Sequence, residues 1–267
     1  MNKVAFITGG SRGIGLSLSQ LLLEGGYDVF SIARSHGEYS HPRYQQLKFD
    51  LSQLNDLPKF IEQLVADQGV PDLLINNAGY GTFSSWGNFP YSEIHRQLDV
   101  LCKAPILICG KIVPLMAEKN RGVVVNLSSL ATLYPLPFMP LYNAGKSALS
   151  AFTQSLMLEY TDSPVVIDFR MGDVKTSFNA SATKIKHRPS EILNKAWVQI
   201  ENQLHHSIAP EKAAELIIQR IRKGKCGTFY GGTIFQGYFL PLVNHFLPQS
   251  IKIKLIRIWY GIWGDSS

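Results

Sequence analysis

With 267 residues, 45% hydrophobic and 17% charged, the chain has the balance of a folded globular protein with one sizeable core, which excludes a disordered chain. A formal net charge of +6 is compatible with attraction to nucleic acid, anionic lipid or a phosphorylated cofactor; it is too mild to select among them, and no nucleic-acid partner is expected. Three cysteines, Cys102, Cys109 and Cys226, form no CxxC and cannot all pair within one chain, which argues against a disulfide framework or a zinc site and predicts a reducing, cytoplasmic location.

Met1-Asn2-Lys3 leads straight into an apolar run at 4–8, so no cleavable signal peptide is expected and the run reads as a buried parallel strand. Thr8-Gly9-Gly10-Ser11-Arg12-Gly13-Ile14-Gly15 follows and opens a segment crowded with Leu16, Leu18, Leu21, Leu22 and Leu23. Glycine there permits a tight turn and lets backbone approach a pyrophosphate at a helix N-terminus. The strand before and the leucine-rich helix after favour a cofactor turn over a plain connection. Further strands are predicted at 27–33, 46–50, 72–76, 122–128 and 165–170, with helical patterns between them, the longest over 94–116. Strand alternating with helix builds βαβ units, whose right-handed crossovers give a parallel sheet covered on both faces.

Residues 172–190 are polar and predict a mobile flap, ahead of helices at 191–203 and 210–222, the latter with Pro210 and Glu211 in its first turn. No run reaches the roughly 18 uninterrupted apolar residues of a spanning helix. The expected organisation is a dinucleotide-binding and catalytic domain over 1–235 and a hydrophobic, amphipathic extension over 236–267.

Within a predicted helix at 140–160, Tyr142 and Lys146 stand four apart and share one face. A fixed ammonium beside a phenol favours phenolate and lowers its pKa from about 10 toward working pH, as a general acid/base acting on an alcohol or ketone requires. Ser129 lies thirteen residues before Tyr142.

The T-G-x-x-x-G-I-G turn, Asn76-Asn77-Ala78-Gly79, Ser129 and Tyr142-x-x-x-Lys146 together resemble the short-chain dehydrogenases/reductases, over roughly residues 3–230. The resemblance implies a Rossmann-type doubly wound α/β sheet of about seven strands, a bound nicotinamide cofactor and hydride transfer to or from a carbonyl carbon. It implies that Tyr142 protonates the carbonyl oxygen, Lys146 lowers the phenol's pKa while holding the nicotinamide ribose, and Ser129 steadies the substrate oxygen. Gly9, Ser11, Arg12, Gly13, Ile14 and Gly15 would line the pyrophosphate, Asp50 and Leu51 the adenine, and Asn77, Ala78 and Gly79 the cofactor's path. Gly172, Val174 and Thr176 fall where the family meets the carboxamide and phosphates. No acid ends the second strand to bind a ribose 2′-hydroxyl; Ala33 stands there, and Arg34 and Arg12 are placed to grip a 2′-phosphate, which predicts NADP(H).

Three departures from the family pattern stand out. Leu101 replaces the asparagine that helps hold a water beside the lysine, Gly145 replaces a small hydroxyl residue, and Met171-Gly172 replaces Pro-Gly. Phe83, Trp86, Phe89, Tyr134, Leu136, Phe138, Phe178 and Trp197 fall beyond the carboxyl ends of the strands and predict an apolar substrate, lipid-, steroid- or acyl-like. In the tail, Ile251, Leu255, Ile258, Trp259 and Ile262 share a helical stripe opposite Lys254 and Arg257; over 251–263 it either packs in a homo-oligomer interface, the preferred reading, or lies on a membrane surface. His205-His206 lacks metal-ligand spacing, so no metal is expected. The functional alternative is an NADPH-binding regulatory or scaffold protein with little turnover.

Overall fold

The computed structural model describes residues 2–176, the backbone of 183–184, and 191–262. In chain order the elements are β1 (Lys3–Thr8), α1 (Gly13–Glu24), β2 (Tyr27–Ala33), β3 (Tyr44–Lys48), α2 (Leu57–Gln68), β4 (Leu73–Asn76) and β5 (Thr82–Phe83). They continue with α3 (Tyr91–Leu98), α4 (Ala104–Glu118), β6 (Val123–Ser129), α5 (Pro140–Glu159), β7 (Val165–Met171) and β8 (Thr183–Lys184). The last are α6 (Glu191–His205), α7 (Pro210–Lys223), β9 (Gly227–Gly231), α8 (Leu240–Asn244) and α9 (Gln249–Trp259).

Seven strands form one parallel sheet in the order β3-β2-β1-β4-β6-β7-β9, and β5 pairs with β8 in a separate two-residue ladder. The chain starts in the middle of the sheet at β1, builds outward through β2 and β3, then returns to β4 on the other side. That reversal leaves a crevice between β1 and β4 at their carboxyl ends, where open α/β sheets bind ligands. The strands are apolar on both faces because both are covered. Leu18, Leu22, Ile217 and Phe169 belong to one core layer with α1 and α7, whereas Ile61, Ile108, Ile112 and Leu74 belong to the opposite layer with α2 and α4. Each such side chain, fully buried, contributes roughly 1.5–3 kcal/mol.

The strand expected at 46–50 lies at Tyr44–Lys48, and β9 at the sheet edge had no sequence signal: Gly227-Thr228-Phe229-Tyr230-Gly231 is short and flanked by glycine. The long helix expected over 94–116 is α3 and α4 joined by a wide π-helical turn at Asp99–Lys103. This continuous Tyr91–Glu118 run is long and apolar enough to cross a membrane by length and composition, yet half of its most apolar window is buried inside the fold.

Candidate active site

The glycine turn is built as its residues dictate. Gly9 and Gly13 hold positive φ, at 70° and 54°, and a Cβ on Gly15 would stand 2.2 Å from the Gly9 carbonyl oxygen. Only glycine fits that approach. The turn is tied to the next crossover: the Thr8 hydroxyl accepts from the Asn77 and Ala78 backbone amides, both at 3.0 Å, and Asn77 Nδ2 donates to the Thr8 carbonyl at 2.9 Å. Arg12 precedes α1 in extended conformation and its side chain does not cap the helix. An uncapped helix start behind a glycine turn is an anion site.

A cleft of about 500 Å³ opens above this turn. It is lined by each residue expected at the cofactor: Gly9, Ser11, Arg12, Gly13, Ile14, Gly15, Arg34, Asp50, Leu51, Asn77, Ala78, Gly79, Gly172, Val174 and Thr176, together with Tyr142, Lys146 and Ser129. At one end Arg12 and Arg34 are exposed, and among the described residues neither forms an ion pair. Asp50 accepts from the Ser52 amide at 3.0 Å and hydroxyl at 2.8 Å. Burial pushes its carboxyl up, but those bonds and the nearby Arg96 and Arg34 outweigh it and hold the acid below its usual value.

At the other end, β6 delivers Ser129 and the first two turns of α5 deliver Tyr142 and Lys146. The Ser129 hydroxyl accepts from the Ala131 amide at 3.1 Å and hydrogen-bonds the Tyr142 side chain. Lys146, 5% exposed, donates from Nζ to the Leu127 carbonyl at 2.5 Å. Beneath lies a buried polar network: Asp168 accepts from Ser128, from Ser150 at 2.6 Å and from Arg170 at 3.1 Å.

The electrostatics correct one expectation. Burial raises the Tyr142 phenol to about 12, with the Asp173 carboxylate adding to the rise and the Ser129 bond opposing it. Burial lowers the Lys146 ammonium to about 8, against the pull of Asp168. The spacing alone predicted a depressed phenol. In the fold Lys146 is buried and Tyr142 half-buried, and the ammonium is turned onto the Leu127 carbonyl, so burial sets the direction of both shifts.

Two of the departures prove to be one feature. Leu101 is fully buried in the Asp99–Lys103 turn, and a Cβ on Gly145 would stand 2.8 Å from the Leu101 Cβ and 3.2 Å from its Cδ1. A Cβ on Gly79 would meet the Leu101 Cδ2 at 3.1 Å and Lys146 Nζ at 3.6 Å. The leucine side chain thus occupies space beside the lysine, and glycine on α5 makes room for it.

The aromatic set divides. Phe83 packs against Phe138 at 5.5 Å and Trp197 at 4.9 Å between ring centroids, in an apolar cluster with Met139, Ile200 and Tyr260 that Leu136 and Tyr142 join. Trp86 and Phe89 pair with each other 5.7 Å apart, and the Tyr134 hydroxyl donates to the Leu240 carbonyl. Phe178 lies outside the described residues. The sequence pattern gave no sign of Asp173 and its clasp: Gln236 Nε2 donates to the Asp173 carboxylate at 2.6 Å, while its Oε1 accepts from the Asp173 amide at 3.2 Å. Asp173 lines the cleft, and burial raises its carboxyl, partly offset by that bond. No local signal pairs residues so far apart in sequence.

The family model for short chain dehydrogenases matches residues 3–186. The chain is 25% identical over 267 residues to a 3-ketodihydrosphingosine reductase of Bacteroides thetaiotaomicron, covering 97% of this chain and 98% of that one. It is 31% identical over 170 residues to a 3α-hydroxysteroid dehydrogenase of Mediterraneibacter gnavus, covering 59% and 68%. A short-chain dehydrogenase structure from Streptomyces avermitilis shares the fold at a TM-score of 0.77, with 20% identity over 100% of this chain and 98% of that one. On its sequence match and its seven-stranded parallel sheet, the chain belongs to the short-chain dehydrogenase/reductase family of oxidoreductases.

Proposed function

We propose that the protein uses NADP(H) to interconvert a carbonyl and an alcohol on a hydrophobic, lipid-like substrate, with Tyr142, Lys146 and Ser129 as its catalytic residues. The observation that carries the reading is their convergence on one cleft, between a glycine turn and an apolar cluster. The uncapped start of α1 and the tight Gly9–Gly15 approach suit a pyrophosphate; Arg12 and Arg34, with Ala33 in place of an acid, suit a 2′-phosphate. The bound nicotinamide supplies or accepts the hydride.

The chain's residues supply position and protons. Ser129 donates to the substrate oxygen, and Tyr142 protonates it as negative charge develops there in the reduction. A phenol held near 12 is fully protonated at neutral pH, ready to act as the acid in that direction. Lys146 anchors the cofactor's ribose. The apolar cluster around Phe83, Met139 and Trp197 excludes water and accepts the substrate's hydrocarbon. Similarity to a 3-ketodihydrosphingosine reductase across almost the full length supports a lipid-like molecule.

Steady-state turnover with NADPH and with NADH on one hydrophobic ketone tests the assignment. NADPH is expected to be preferred, and Arg34→Asp to erase or invert that preference; a wild-type preference for NADH, or an unchanged preference in the variant, would defeat it. A second reading, a cofactor-binding regulatory or scaffold protein, draws on the apolar Leu101 beside Lys146. Binding of NADPH without oxidation across a panel of apolar ketones would favour it.

A further inference from the structure

The amphipathic tail presents two apolar faces, only one of which the fold covers. Ile256, buried Tyr260 and Ile262 pack against the cluster beside the active site, and the Tyr260 hydroxyl bonds Gln203 Oε1 at 3.1 Å. The stripe singled out from sequence points the other way: Ile251, Leu255, Ile258 and Trp259 are 47–60% exposed. From that stripe Ile262 alone turns inward, and Trp263 lies outside the described residues.

The exposure continues upstream. Of sixteen large hydrophobic side chains exposed among the described residues, eleven lie between Ile234 and Trp259, including Phe235, Tyr238 and Phe246 at 58%, 72% and 79%. Soluble surfaces rarely gather apolar groups so densely. The two stretches are tied together, since Lys252 Nζ donates to Asn244 Oδ1 at 2.8 Å and lies 5.7 Å from the Tyr134 ring centroid.

Charge selects the occupant. Across the face itself, from Ile234 to Ile262, the sequence holds three cations, Lys252, Lys254 and Arg257, and no Asp or Glu. Lys254 and Arg257 are exposed on α9 itself. A second copy would set like charges face to face if it docked through the same patch. An anionic bilayer satisfies both features: phosphates attract the cations while the aromatic and aliphatic side chains enter the acyl boundary.

We propose that α9 and the exposed segment from Ile234 to Phe246 form a docking face for an anionic lipid bilayer. The inner side of the same helix packs on the apolar cluster of the site, so docking places that cluster next to the lipid phase. Binding reads out without turnover, so this inference and the proposed activity fail separately.

The test is co-sedimentation of the full chain with phosphatidylcholine vesicles, with and without phosphatidylglycerol, at low and high salt. Binding is expected with anionic vesicles and is expected to fall with salt. At about fivefold per cation, Lys254→Ala with Arg257→Ala should weaken it roughly 30-fold. Leu255→Ser with Trp259→Ser should also weaken it, with NADPH binding retained as a check that the fold is intact. No sedimentation with either vesicle, or equal binding to both, would overturn the proposal. So would a dimer in sedimentation velocity that the Leu255 and Trp259 substitutions dissociate, because a second copy would then cover the face.

Discussion

Gly145 offers the sharpest physical test, because helix propensity and packing predict opposite signs for one methyl group. Alanine replacing glycine inside a helix gains about 1 kcal/mol from propensity. At Gly145 the new Cβ would stand 2.8 Å from Leu101 Cβ, closer than real Cβ contacts allow, on a helix whose neighbouring turn is buried. Overpacking of that kind costs about 1–3 kcal/mol, so Gly145→Ala is expected to be neutral to destabilising by ~2 kcal/mol. Replacing Leu101 by glycine removes every side-chain atom in that conflict. In the Leu101→Gly background the same Gly145→Ala change should therefore stabilise, by up to about 1 kcal/mol, although Leu101→Gly itself costs several kcal/mol of lost burial. Urea unfolding of the four proteins, at constant slope, measures the cycle. If Gly145→Ala stabilises the protein that retains Leu101, or if the coupling between the two sites is below about 0.5 kcal/mol, the two departures are unrelated and the packing argument is wrong.

Tyr142→Phe should lower turnover by roughly 10²–10⁴, the range for general acid catalysis, while NADPH titration by fluorescence shows binding retained; activity near that of the wild type would remove Tyr142 from the chemistry. Gly15→Ala should abolish cofactor binding or folding, since its Cβ would overlap the Gly9 carbonyl; calorimetry showing wild-type NADPH affinity would contradict the turn geometry. The Lys146 ammonium sits at about 8 in the fold against an ordinary lysine value of 10.5 in the unfolded chain, so between those values the unfolded chain binds more protons and stability rises with pH. Below about 8 the full penalty of the buried cation applies. In cofactor-free protein, Lys146→Met should abolish that rise across pH 8 to 10, and an unchanged pH profile of the unfolding midpoint would show that the lysine is not desolvated.

The sequence by itself determined the class of fold and the membership of the cleft. Strand and helix alternate with distinct periods, and the glycine turn and the Tyr142–Lys146 spacing are local patterns, legible because backbone geometry alone sets them. The edge strand β9 is not legible in the sequence because a five-residue strand that begins and ends in glycine carries no periodic signal. Tertiary structure decided what depends on neighbours distant in sequence. Burial set the direction of the Tyr142 and Lys146 shifts, Leu101 and Gly145 became complementary across two helices, and Gln236 closed on Asp173 from 63 residues away. The tail's stripe was visible in the sequence, but which side of α9 the core would cover was not. That choice belongs to Ile256 and Tyr260, which pack on the apolar cluster beside the site, Tyr260 also bonding Gln203 of α6, and it leaves the cationic, apolar side facing outward.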